Sequence, residues 1–222
     1  MKLRIASLSL LTLCLILAAV PAATQDIYNN GPINGNTDAW TINFGFIVSD
    51  TFTISGGNTT VTGVSFGAWL FPGDTLTSAE VVMTSMENGG TTYFDQVVPF
   101  TGSGCTMNQY GYNVCDETGT FHGPTLPNGT YWLNLENATV PSGDPVYWDE
   151  NSGVGCTSPG CPSMPSENSV GTIESESFTM LGTTSSTTTS TTTTGTVPEP
   201  SSIMLFGSGI LGLAGMLRRK LL

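Results

Sequence analysis

His122, in the stretch TGTFHGPTLPNG, is the only histidine of the chain, so a Ser-His-Asp hydrolase site would have to form around it. It stands in a Gly and Pro loop without a GxSxG turn or other nucleophile motif, which leaves an exposed or structurally bonded side chain as its reading. A histidine-rich metal site is excluded by number alone. Asp144, Asp149 and Glu150, in SGDPVYWDENSG, are the acids best grouped to act as the two carboxylates of glycoside hydrolysis. The same acids, with loop carbonyls, could instead hold Ca²⁺ as a stabiliser of the loop, although the alternating acids and final Glu of an EF-hand are missing. Acids among Gly, Ser and Asn are ordinarily solvated. No catalytic residue is assigned, and the expectation is a protein without enzymatic activity and without a required cofactor.

Aromatic residues offer a different chemistry. In TYWLNLEN, strand alternation puts Tyr131, Leu133 and Leu135 on one face and Trp132, Asn134 and Glu136 on the other. With the leucines inward, Trp132 faces out, and Tyr147 and Trp148 follow in a nearby segment beside Asp149. Flat rings next to amide and carboxylate groups suit sugar binding, the rings packing on apolar sugar faces. Core packing is the competing use of the same three rings.

Cysteine gives a compartment. Cys105 and Cys115, and Cys156 and Cys161, form two local pairs, which in an oxidising environment read as disulfides. Neither pair has the CxxC spacing of a zinc knuckle, and no histidine is near.

These residues need strands to hold them. Ile42, Phe44, Phe46 and Val48 alternate with Thr41, Asn43, Gly45 and Ile47, and Val64, Phe66, Ala68 and Leu70 alternate with Gly63, Ser65, Gly67 and Trp69. SAEVVMTSM, TTYFDQVVPF, TYWLNLEN and TIESESFTM continue the series between clusters of turn residues. No amphipathic helix interrupts them. The pattern predicts an all-β domain over residues 23–181, an antiparallel β-sandwich of jelly-roll type. SDTFTIS at 49–55 and SESFTML at 175–181 share a Ser-acid-x-Phe-Thr frame, compatible with terminal strands in one sheet.

Charge excludes whole classes of partner. All five Lys and Arg lie at the ends of the chain, while 16 of the 17 acids fall between residues 23 and 196. A surface with a formal charge near −16 and no cations repels phosphate backbones, so nucleic acid is excluded.

The ends are targeting segments. Lys2, Arg4 and the apolar stretch Ile5–Val20, followed by small residues, predict a signal peptide over 1–22, removed by signal peptidase. In residues 182–196, 13 of 15 are Ser or Thr, a composition that cannot build a core and reads as an extended linker. Ile203–Leu217 is an apolar run of 15 residues, as a helix about 22 Å long against a hydrocarbon core of about 30 Å. Arg218, Arg219 and Lys220 follow it and stay cytoplasmic by the positive-inside rule, as a stop-transfer end. Such a segment anchors briefly in a membrane.

Val197, Pro198, Glu199 and Pro200, then the apolar run, then Arg218, Arg219 and Lys220, together resemble the PEP-CTERM sorting domain of Gram-negative bacteria, over residues 197–222. The resemblance implies recognition of the Pro-Glu-Pro motif by a membrane protease of the exosortase type, removal of the tail, and display at the cell surface or in an extracellular polysaccharide matrix. SDTFTISGGNTTVTGVSFGAWLFPGD and NGTYWLNLENATVPSGDPVYWDENSG are similar to β-sandwich domains common in proteins with this tail. That likeness implies a fold and no activity. The expected function is therefore that of an exported surface or matrix protein. A carbohydrate-binding module using Trp132, Tyr147 and Trp148 is the alternative, and a secreted glycosidase the third reading.

Overall fold

The computed structural model describes residues 24–151 and 166–184, all within the first of two compact units, Met1–Ser186. The signal segment, Cys156, Cys161, the sorting motif, the apolar run and its cations lie outside the described residues.

The strands are β1 (Gln25–Asn29), β2 (Asp38–Thr41), β3 (Val48–Ile54), β4 (Thr59–Leu70), β5 (Ser78–Met86), β6 (Gly89–Met107) and β7 (Asn113–Thr120). After them come β8 (Thr125–Leu126), β9 (Gly129–Thr139), β10 (Tyr147–Glu150), β11 (Ser166–Glu167), β12 (Gly171–Thr172) and β13 (Phe178–Thr184). Among the described residues there is no helix, and hence none long and apolar enough to cross a membrane. β13 runs to Thr184, into the segment that composition assigns to the linker.

The strands form one antiparallel sheet in the order β1-β13-β4-β7-β6-β5-β9-β3-β11-β12, with β10 joining β2 to β4 and β8 beside β4. Its curl depends on β6. The first part of this 19-residue strand pairs with β5 as far as Pro99, and from Phe100 onward it pairs with β7. The sheet bends around it into a half-barrel, and side chains at every second position fill the hollow. Phe52, Val81, Met83, Leu133 and Leu135 come from one half, and Val64, Phe66, Trp148, Phe178 and Met180 from the other, all essentially inaccessible to water. Each contributes roughly 1.5–3 kcal/mol by leaving solvent.

One sequence expectation changes here. Residues 41–48 are not one strand: β2 stops at Thr41, and Phe44 (φ 58°) and Gly45 (φ 87°) turn through the left-handed region. Asn43 stabilises the turn from its side chain, donating to the Asp144 carbonyl at 3.1 Å, and Phe44 is left 65 % exposed. The echoed strands β3 and β13 stand in opposite halves of the curled sheet and face each other across the hollow. Tyr28 of β1 touches both, with ring centroids 6.3 Å from Phe52 and 5.6 Å from Phe178.

Cys105 and Cys115 are bonded, tying β6 to β7 beside the irregular register between Ser103 and Thr106. Closing a loop of ten residues stabilises the fold by about 3 kcal/mol on the chain-entropy account.

Glu117 breaks the apolar pattern of the interior. It lies on the inward face of β7 between Cys115 and Gly119, opposite Phe66, and its Oε2 is buried with no hydrogen-bond partner. Gly102 makes room for it across the sheet, since a Cβ at that position would collide with the carboxylate. Burial first, and then the neighbouring Asp116, push its carboxyl up to about 7. Because the folded value lies above the unfolded one, the group leaves the fold unpenalised below about pH 4.5 and destabilises it increasingly as pH rises through 7. Thermal melts from pH 5 to 8 should show the wild type losing about 1–2 kcal/mol more than Glu117→Gln, after allowance for solvent screening. Parallel melting curves would refute the assignment.

Candidate functional site

The echoed frames place two acids where a hydrophobic interior is expected. Period two puts Asp50 on the same face as Phe52, and Glu176 on the same face as Phe178, so both carboxylates point inward from opposite halves of the sheet. Both residues are 0 % exposed. Asp50 is well supplied with donors: its Oδ2 accepts from Asn30 Nδ2 (3.0 Å) and the Glu176 N–H (2.9 Å), and its Oδ1 from the Thr51 N–H (2.6 Å). Asn30, at the end of β1, also reaches Ser175 Oγ at 3.0 Å and the Glu176 carbonyl at 2.7 Å. Asn151 Nδ2 donates to the Asn30 carbonyl at 2.6 Å. The result is a buried polar cage at one end of the half-barrel.

Glu176 is the exception within it, because both carboxylate oxygens are buried and neither has a hydrogen-bond partner. Glu150 stands opposite, in a β-bridge flanked by the bonds Asn151 N to Ser175 O (2.7 Å) and Ser177 N to Asp149 O (2.8 Å). This is the narrow, non-hydrogen-bonded kind of pair, which brings its two side chains together on one face. Asp38 of β2 continues the row across Glu150. Burial, and after it Asp50, Glu150, Asp149 and Asp38, hold the Glu176 carboxyl well above the usual carboxylate range. Glu150 is raised as well, chiefly by burial, against the pull of the Trp40 indole N–H.

The residues singled out by the sequence disperse. Asp149 and Glu150, being adjacent on a strand, project from opposite faces, so they do not flank one bond. Asp149 is fully buried, and its carboxylate accepts from the Asn34 N–H (2.9 Å), the Gly35 N–H (2.9 Å), Trp69 Nε1 (2.6 Å) and Ser177 Oγ (3.1 Å). Burial raises its pKa and these four donors oppose the rise. Asp144 sits in the partly exposed turn before β10. Among the described residues, no three Asp, Glu, His or Cys side chains stand as a ready metal-ligand set. His122 is exposed in the loop between β7 and β8.

The three aromatic candidates occupy three environments. Trp148 is 0 % exposed, packs against Phe66 and Phe178, and donates its indole N–H to the Ser177 carbonyl at 2.8 Å. It is a core residue, because β10 runs beside β4 and turns that position inward. Trp132 is half-buried on the outward face of β9, opposite Thr51 and Thr84. Tyr147 packs edge-on against Tyr112, and its hydroxyl is pushed up to about 12 by burial and by that neighbour. A platform of these three is not assembled. A cluster that sequence reasoning missed lies close by: Tyr110, 54 % exposed, stacks on Trp69 at 5.6 Å. Its hydroxyl donates to the carbonyl of Asn36 at 3.3 Å, and Asn36 lines a cleft of about 390 Å³ together with Asn34, Met107, Asn108 and Asp116.

Fold and site together define an all-β domain stabilised by a disulfide, with acids and no Lys or Arg among the described residues. The segment after it carries the identifying signal: residues 196–220 match the PEP-CTERM protein-sorting motif. That motif marks an exported protein, held at the membrane before an exosortase-type enzyme processes it. No curated protein matches the chain.

Proposed function

We propose that the protein is a non-enzymatic component of the cell surface or extracellular matrix, a sandwich-like acidic domain delivered by its C-terminal sorting segment. On this reading signal peptidase removes residues 1–22, the apolar run anchors the chain transiently, and the protease acts at Val197, Pro198, Glu199 and Pro200. The observation that carries it is the sorting motif at residues 196–220. The buried disulfide partner Cys115 and a cation-free domain suit an oxidising, ion-rich exterior. The Glu199→Ala variant should accumulate in the membrane fraction with its tail attached, while the wild type leaves it. Equal release of both would count against recognition of the motif.

Carbohydrate binding is the second reading, and the exposed Tyr110 ring beside an amide-lined cleft favours it over the site expected from the sequence. Glycan arrays probed with the exported protein should show binding lost in Tyr110→Ala and kept in Trp132→Ala. An absence of glycan binding leaves the structural role.

A further inference from the structure

We propose that Glu176 and Asp50 hold a hard divalent cation of the Ca²⁺ class, pinning the two halves of the curled sheet together where β3 and the segment before β13 meet. This stands apart from the sorting reading and from the loop acids Asp144 and Asp149. The Glu176 carboxylate is buried without a partner, and the described residues contain no Lys or Arg to balance its charge. Asp50 already receives three N–H donors. A proton on Glu176 would neutralise it, but neither of its buried oxygens has a hydrogen-bond partner in the structure. A metal ion meets both needs at once, because it ligates both oxygens of a carboxylate and supplies the missing charge. Ca²⁺ takes six to eight oxygens and accepts amide and main-chain carbonyls along with carboxylates. The Asn30 main-chain carbonyl and Ser175 Oγ, both of buried residues, bring neutral oxygens to the same cage. Two acids with neutral oxygens also agree with the lack of a three-acid set among the described residues.

The exported protein, treated with EDTA and then dialysed, tests this directly. Adding CaCl2 at about a hundredfold excess over Kd should raise Tm by about 5–10 °C, and MgCl2 by less. Elemental analysis of protein that has not met EDTA should find one divalent ion per chain. In Glu176→Gln the Ca²⁺ response should vanish, while Asp144→Asn keeps it. If Glu176→Gln does not fold, Tb³⁺ luminescence titration of the wild type, competed by Ca²⁺, supplies the same reading. A wild type with no bound ion and a melting curve indifferent to Ca²⁺ and EDTA would overturn the proposal, as would an unchanged response in Glu176→Gln.

Discussion

Asp149→Ala is expected to destabilise the domain by about 3–5 kcal/mol, a loss of roughly 10 °C or more in Tm for a chain of this size. Four donors converge on this carboxylate, and three of them, the Gly35 N–H, Trp69 Nε1 and Ser177 Oγ, are buried. Removing the acceptor strands them, at about 1–3 kcal/mol for each buried group left unmet. Relief of the buried charge offsets part of this, which is why the whole is less than the sum. Asp149→Asn keeps the shape and one acceptor oxygen and should fall between the wild type and the alanine variant. Thermal and denaturant melts read the effect. An Asp149→Ala domain as stable as the wild type would mean that these bonds do not organise the 33–36 loop.

Trp148→Ala should cost about as much, roughly 3–5 kcal/mol, because it empties the interior between Phe66 and Phe178 and leaves the Ser177 carbonyl without its indole donor. Trp132→Ala, on the outward face of β9, should cost about 1 kcal/mol or less. The contrast is the useful part. The two residues are alike in the sequence, and only the register of their strands separates a core residue from a surface one. Equal losses in the two variants would contradict the curled-sheet packing.

Strand faces were legible because alternation is a local property. SAEVVMTSM is β5 from end to end, and TYWLNLEN has its leucines inward and Trp132 outward, as the period requires. The turn at Phe44 and Gly45 escaped because an alternating segment with one Gly reads as a strand until Asn43 finds its partner at Asp144, far along the chain. Asp149 was visible as an acid and illegible as a buried one, since its donors come from Asn34, Gly35 and Trp69. The repeated Ser-acid-x-Phe-Thr frame was the one sequence signal of the acidic cage. With Phe52 and Phe178 inward, period two turns Asp50 and Glu176 the same way. What it could not convey was that the two strands face each other across the interior, which depends on how β6 bends the sheet. The sorting motif, by contrast, is carried by contiguous residues and needs no tertiary information.

On the proposed reading the tail is a temporary foothold which a membrane protease removes. Intact-mass measurement of the protein recovered from a host that makes the protease is the direct test. The expected mass lies below 23.2 kDa, that of a chain lacking residues 1–22 and everything from Ser201 to Leu222. A mature surface protein that still carried Arg218, Arg219 and Lys220 would contradict it.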